Sequence, residues 1–318
     1  MTTGGMTTGG NPRIAVVVPC YNEAVAIPKV VADFRAALPG ATVFVYDNNS
    51  TDGTVEAART AGAVVRCETL QGKGHVIRRA FADIDADVYV LVDGDDTYDA
   101  RVAPDMVGLL LTERLDMVSG ARVTDAQAAY RPGHRLGNTV LTGMVRVVFG
   151  DRISDMLSGY RVFSRRFVKS FPALAGGFET ETEFTVHALD LRMPVGEVPT
   201  AYKERPPGST SKLRTYSDGV RILRTIVVLV KEERPLQFFS VLAGALIFAS
   251  VLFGVPVVSE YLRTGLVPRL PTAVLSMGLM MIGFLAISCG LVLDSVSRGR
   301  KEMKRLAYLS HPAPGAGP

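Results

Sequence analysis

From residue 13 onward, short apolar runs alternate with segments whose apolar positions recur at helical spacing. The runs Ile14–Val18, Val43–Tyr46, Ala63–Cys67 and Val88–Val92 predict buried strands. Between them, Ala24–Leu38 (with Pro28 near its first turn), Thr54–Ala61 and Val76–Phe81 predict helices. Alternation at this spacing implies parallel βαβ units and an α/β fold with a doubly wound, mostly parallel sheet. Past residue 200 the pattern changes. Leu236–Val258 and Thr272–Leu293 are 23 and 22 residues long and contain no Asp, Glu, Lys or Arg. Each is long enough to cross a hydrocarbon core of about 30 Å as a helix. Pro256 and several glycines interrupt them, which membrane helices tolerate. Two such segments in succession predict a transmembrane hairpin over residues 235–294 rather than buried helices of a soluble core. Just before it, Val220, Leu223, Val227 and Val230 share one helical face with Arg221 and Arg224 beside it. That pattern predicts an amphipathic helix over 212–234 lying in the headgroup plane, although a soluble surface helix would share it.

Charge follows the same division. The 318 residues carry a net +4. Residues 201–234 hold eight Lys/Arg against four Asp/Glu, and residues 295–318 hold five against one, whereas residues 1–200 sum to about −4. An acidic body with a basic edge argues against nucleic acid as partner and for anionic lipid headgroups. Basic flanks on both outer ends of the hairpin predict a multi-pass protein of the cell membrane with both termini and the 295–318 tail in the cytoplasm. The polar stretch at 1–12 lacks the apolar region of a cleavable signal and, like His311–Pro318, reads as disordered. Cys20, Cys67 and Cys289 have no metal spacing and read as reduced thiols. The chain is compatible with a monomer or a homo-oligomer.

Candidate chemistry collects at the strand ends. Val88–Val92 runs into Asp93, Asp95 and Asp96, three carboxylates within four residues. Acids at the carboxyl end of a parallel strand sit where open α/β sheets bind ligands. A hard divalent cation on a diphosphate would neutralise them; a solvated acidic turn is the plainer alternative. Asp47, at the end of the second strand, is placed to accept hydrogen bonds from a base or ribose, while Ser50–Asp52 read equally well as a cap for the following helix. In Gln71-Gly72-Lys73-Gly74 the glycines permit close backbone approach and Lys73 supplies a point charge for phosphate; an exposed flexible turn would look the same. No Gly-x-Gly-x-x-Gly follows the first strand and no Walker sequence is present, which excludes dinucleotide and P-loop readings.

In order along the chain, residues 17–23 (Val-Val-Pro-Cys-Tyr-Asn-Glu), Asp47-Asn-Asn-Ser-Thr-Asp-Gly-Thr54, Gly72-Lys-Gly74, Asp93-Gly-Asp95, Ser158-Gly-Tyr-Arg161, Gly177-Phe-Glu-Thr-Glu-Thr-Glu183 and Arg205-Pro-Pro-Gly-Ser-Thr-Ser-Lys-Leu213 resemble the inverting GT-A glycosyltransferases. They are most similar to the polyprenyl-phosphate (dolichyl- or undecaprenyl-phosphate) sugar synthases, in particular those making dolichyl-phosphate glucose or N-acetylglucosamine, with the mannose synthases more distant. The resemblance implies a Rossmann-like GT-A domain over 13–211 and transfer of a hexose from a nucleotide-diphosphate sugar to a polyprenyl monophosphate, with Mg2+ or Mn2+. It implies that Pro19, Tyr21, Glu23 and Asp47 line the nucleoside pocket, that Asp93 reaches the ribose or the metal, and that Gly94 and Asp95 lie at the donor diphosphate together with Lys73. Asp95 and Asp93 would ligate the metal, and Thr97 stands where the mannose synthases carry a Gln ligand. Arg122 and Arg205 would bind donor diphosphate or acceptor phosphate, with Arg135, Ser211 and Lys212 as further acceptor residues.

The residue types suit that chemistry. A phosphate monoester is already anionic near neutral pH, so it needs alignment and charge neutralisation more than a strong base. Glu179, Glu181 and Glu183 would reach a sugar hydroxyl or, alternatively, complement a helix dipole. A processive polysaccharide synthase is disfavoured because its Gln-x-x-Arg-Trp sequence needs a Trp and this chain has none. A membrane-anchored transferase acting on a protein or glycan, and a non-catalytic nucleotide-sugar sensor, are the other readings; the intact Asp93 and Asp95 weigh against the sensor.

Overall fold

The computed structural model describes residues 11–123, 154–203 (apart from 175 and 178), 227–228, 231–232 and 234–315. Two compact units emerge: residues 1–224 together with 304–318, and residues 225–303.

The first unit is built on a seven-stranded sheet of order β3-β2-β1-β4-β6-β5-β7. Its strands are β1 (Ile14–Cys20), β2 (Thr42–Asp47), β3 (Val64–Cys67), β4 (Val88–Leu91), β5 (Met117–Val123), β6 (Arg161–Ser164) and β7 (Val195–Ala201). The helices are α1 (Ile27–Ala37), α2 (Thr54–Thr60), α3 (Lys73–Asp83), α4 (Ala103–Thr112), α5 (Arg165–Ser170) and α6 (Thr180–Asp190). Successive residues of a strand face opposite sides of a sheet, and β1 shows the consequence. Val16, Val18 and Cys20 enter one core with Phe34 and Met106, while Ala15 and Val17 enter the other with Ile77 and Phe163. Helices cover both faces, as the near-continuous apolar strands require.

β1, β2, β3 and β4 pair in parallel. β6 breaks that pattern by inserting antiparallel between β4 and β5. Chain order proceeds from β1 to β2 and β3 on one side and to β4 on the other, so the winding reverses between β1 and β4. Ligands of open α/β sheets bind at such a reversal, beyond the carboxyl ends of the strands.

The first unit also includes the end of the chain. Residues from 304 onward belong to it, and Tyr308 packs against the core formed by Phe163, Phe167 and Phe184. Pro314 is buried. Within 295–318, expected as a basic tail, the helix therefore runs on past Leu293 to Leu309, and its last turns belong to the first unit.

The second unit consists of α7 (Pro235–Thr264) and the larger part of α8 (Leu270–Leu309). Both are long and apolar enough to cross a membrane. They meet through small residues. Ser250 Oγ donates to Ser276 O at 2.7 Å and Ser276 Oγ donates back to Ser250 O at 2.8 Å. A side chain at Gly283 or Gly290 would run into Ile247 or Phe239. Close approach plus interhelical hydrogen bonds is how helices associate without water to drive them together.

Candidate active site

A cleft of about 510 Å3 opens at the switch point between β1 and β4. Pro19, Cys20, Tyr21 and Glu23 form one wall and Asp93, Gly94 and Asp95 another. Asn48, Gln71 and Gly72, Lys73, His75 and Val76 at the start of α3, and Gly176, Gly177 and Glu179 complete it.

Three strand-end turns share a device. Asn22, Asn49 and Asp96 all adopt left-handed backbone, with φ of 53°, 65° and 56°. Asn and Asp tolerate this conformation better than other side chains, so each polypeptide turns sharply out of the sheet. The turns are then tied together. Asn22 accepts from Thr51 N at 2.8 Å, its own N–H donates to Ser50 Oγ at 2.8 Å, and Lys29 Nζ donates to Asp96 at 2.8 Å. Asn48 donates to the carbonyls of Glu68 and Leu70 and accepts from Gly72 N at 2.7 Å. Gly72 itself has φ 135°, and a side chain there would collide with the Gly176 carbonyl. A non-glycine residue at 72 would thus be strained twice over.

The charged centre is compact. Lys73 is not in a flexible turn; it is the first residue of α3, its side chain 8% exposed. Its Nζ lies 2.5 Å from Asp93 Oδ1 and 2.5 Å from Glu181 Oε1. Burial disfavours the ammonium, but the two carboxylates outweigh it and raise its pKa above the ordinary lysine value. For Glu181, burial pushes the carboxyl up and Lys73 pulls it down; burial prevails. Glu181 Oε2 is buried without a hydrogen-bond partner, as are Glu179 Oε2 and Asp47 Oδ1. Gly159, from the Ser158–Arg161 motif, leaves room for the Asp93 carboxylate that any larger residue would fill. Asp95 is buried and accepts from Thr97 Oγ1 at 2.7 Å.

The expected site residues divide into three groups. Pro19, Tyr21, Glu23, Lys73, Asp93, Gly94 and Asp95 are brought together around the cleft. Asp47, Thr97 and Arg122 stand outside its wall. Asp47 is buried and accepts from Ser50 N at 3.1 Å. Thr97 is 1% exposed with its hydroxyl turned onto Asp95, a support for that carboxylate. Arg122 makes a two-point pair with Asp155, at 2.7 and 2.8 Å, and lies over the Tyr202 ring. Burial raises the Asp155 pKa and Arg122 more than reverses that, leaving it below the usual carboxylate value. Arg135, Arg205, Ser211 and Lys212 lie outside the described residues, as does most of the 212–234 segment expected to form an amphipathic helix.

Sequence reasoning missed two partners. The Glu181 link to Lys73 spans 108 residues, and only the run of acids at 179–183 hinted at it. Asp155 carried no signal at all. Arg161, in the Ser158–Arg161 motif, is fully buried. It donates to the carbonyls of Met156 and Ser158 and to Thr185 Oγ1, and so joins the loop before β6 to α6, the helix that carries Glu181.

Comparison with known proteins bears directly on this unit. Residues 15–171 match the profile of glycosyl transferase family 2. Glycosyltransferase AglJ of Haloferax volcanii is 34% identical over 306 residues, covering 93% of this chain and 98% of its own. The dolichyl-phosphate hexose transferase of the same organism is 30% identical, over 70% of this chain and 95% of its own. Among solved structures, glucosyl-3-phosphoglycerate synthase from Mycobacterium tuberculosis aligns with a TM-score of 0.56 at 23% identity, over 69% of this chain and 79% of that one, a likeness of fold. The family profile falls on the strands that build the cleft and the AglJ match runs nearly end to end, so the chain belongs to glycosyl transferase family 2 and is a glycosyltransferase of GT-A architecture.

Proposed function

We propose that the enzyme transfers a hexose from a nucleotide-diphosphate sugar to a polyprenyl monophosphate at the membrane, inverting the anomeric centre. The carrying observation is the Lys73–Asp93–Asp95 centre at the switch-point cleft of a chain that also bears two helices long and apolar enough to span a bilayer. The dolichyl-phosphate hexose transferase relative supports the acceptor class. A UDP-sugar is the favoured donor, with GDP-mannose the first alternative to test.

The donor set fits a hard divalent cation. Asp93 and Asp95 supply carboxylate oxygens on the cleft wall, the hard donors such an ion takes together with diphosphate oxygens. Bound by Asp95 and Asp93, Mg2+ or Mn2+ would neutralise charge developing on the leaving diphosphate. The M. tuberculosis synthase is solved with Mn2+ and UDP-glucose.

The chain's own residues do the rest. Asp47, with its unpartnered buried oxygen, accepts from a nucleobase N–H or ribose hydroxyl, and Tyr21 and Pro19 flank the nucleoside. Lys73 provides positive charge at the diphosphate from the N-terminal turn of α3, whose dipole adds to it. An oxygen of the acceptor phosphate attacks the anomeric carbon, forming the new C–O bond as the bond to the nucleoside diphosphate breaks. Arg122, Arg135, Arg205, Ser211 and Lys212 hold and align that acceptor. With an anionic nucleophile, no side chain need remove a proton.

Membranes incubated with a panel of labelled nucleotide sugars should yield a labelled lipid phosphate on organic extraction. Label confined to protein or aqueous glycan would refute the acceptor. We place both termini in the cytoplasm, so Glu260→Cys should react with an impermeant reagent from the opposite side alone.

A further inference from the structure

Lys73 is held by two carboxylates, and one of them is a proposed metal ligand. Its Nζ sits 2.5 Å from Asp93 Oδ1, and its side chain is nearly buried. A divalent ion drawing on the same Asp93 oxygen would lie within a few ångströms of that ammonium and repel it. The two cations compete for one carboxylate.

The structure also shows where the ammonium can go. Glu181 already holds it at 2.5 Å through Oε1, and Glu181 Oε2 is buried with no hydrogen-bond partner. An ammonium has three donors. One swung off Asp93 would keep Glu181 and gain that second oxygen. The backbone beneath Lys73 is fixed, because Gly72 N is bound to Asn48 and Gly72 abuts Gly176. Movement is therefore confined to the side chain, which stays at the cleft wall. What it lacks on leaving Asp93 is a replacement anion on the cleft side, and an entering diphosphate supplies one.

We propose that Lys73 is an internal counter-cation that holds Asp93 until a nucleoside diphosphate draws it away, so that divalent-cation and nucleotide binding are coupled through this one side chain. The inference rests on the donor and metal assignment made above and adds a binding order to it: the metal ion binds weakly to the empty site and tightly once the diphosphate is present. By linkage the nucleotide must gain from the metal by the same factor.

The test is Mn2+ binding to the full-length protein in detergent, read from the EPR signal of free Mn2+, with and without UDP or GDP. In wild type, the nucleotide should tighten Mn2+ at least about tenfold. In Lys73→Met, Mn2+ alone should bind about tenfold tighter than in wild type, and the gain on adding nucleotide should shrink by a similar factor. Lys73→Gln, which keeps hydrogen-bond donors between the two carboxylates but no charge, should behave the same way and covers the case in which Lys73→Met fails to fold. A lysine that merely adds background charge would shift both Mn2+ affinities equally. A coupling factor unchanged in both variants would therefore overturn the inference and leave the metal assignment standing. Failure of wild type to bind Mn2+ with either nucleotide would overturn the metal assignment and the inference together.

Discussion

At the edge of the sheet where β5 begins, Asp116 is fully buried and both of its oxygens are doubly occupied. Oδ1 accepts from Ser164 Oγ at 2.7 Å and Arg166 Nε at 2.5 Å; Oδ2 accepts from Arg166 and from the Tyr308 hydroxyl, both at 2.9 Å. At the opposite edge, where β4 ends, Lys73 is shared between two carboxylates while buried oxygens of Glu181, Glu179 and Asp47 have no partner. An unsatisfied buried acceptor costs stability that a folded protein has no structural reason to give up. The same sheet therefore carries one charge cluster completed by its own chain and one left for a ligand to complete. Saturation, more than burial or charge, separates the structural cluster from the functional one.

The largest effect should come from emptying the saturated cluster. Asp116→Ala strands the Arg166 guanidinium and removes acceptors from Ser164 and Tyr308. Breaking a buried pair from one side costs about 3–5 kcal/mol, and a thermal melt of the purified protein should show a loss of that order. Protein that survives should bind nucleotide normally, because Asp116 lies across the sheet from the cleft. Asp95→Ala reverses the pattern. Sugar transfer should fall roughly 10²–10³-fold, equivalent to about 3–4 kcal/mol of transition-state stabilisation, with the melting temperature nearly unchanged. Full turnover by that variant would remove Asp95 from the chemistry.

The two clusters were not equally legible in sequence. Asp93 and Asp95 follow an apolar strand directly, and Asp47 does the same on β2, so a local reading finds them; the four parallel strands appear within a residue or two of their expected bounds. Long-range partnerships were beyond such a reading. Nothing in the sequence near Arg122 points to Asp155, and nothing near Asp116 points to Tyr308, 192 residues away. The end of the chain was only partly legible for a physical reason. Its Lys and Arg residues read as a basic tail, yet helical spacing continues through them and places Tyr308 and Leu309 on one more turn. The antiparallel insertion of β6 was equally hidden, since strand direction depends on which strand it pairs with rather than on its own residues.

His187 breaks the symmetry of the comparison, since its Nδ1 is buried without a partner on the structural side. It packs edge-on against Phe167 and Phe171 and is bonded through Nε2 to Ser170 Oγ at 3.2 Å. Burial holds the imidazole down to about 3, with Lys304 adding to the effect. The neutral form is thus the folded form. In the unfolded chain the ring takes up a proton near pH 6.5, so between that value and about 3 the unfolded state binds more protons, and stability falls as pH falls. The loss attributable to His187 should be about 2 kcal/mol at pH 5 and absent above pH 7. His187→Phe should melt with a correspondingly flatter pH dependence over that interval. Identical slopes in the two proteins would mean the ring is not held neutral.

The smallest effect tests whether the two edges are independent. Burial and the neighbouring Asp116 push the Tyr308 phenol up to about 12, so at any working pH its hydroxyl is a donor. Tyr308→Phe removes that donor and little else. The ring remains over Arg166, whose guanidinium carbon is 4.6 Å from its centroid, and Asp116 Oδ2 keeps its bond from Arg166. No buried oxygen is orphaned, so the cost should be that of one hydrogen bond to a charged acceptor already shared, about 1 kcal/mol. Replacing the ring as well, with Tyr308→Ala, should roughly double or triple that figure through lost packing and cation–π contact. Neither change should alter Mn2+ or nucleotide affinity. If Tyr308→Phe shifted either affinity while leaving the melt untouched, the end of the chain would be acting on the cleft through the sheet, and the division into a completed cluster and a waiting one would fail.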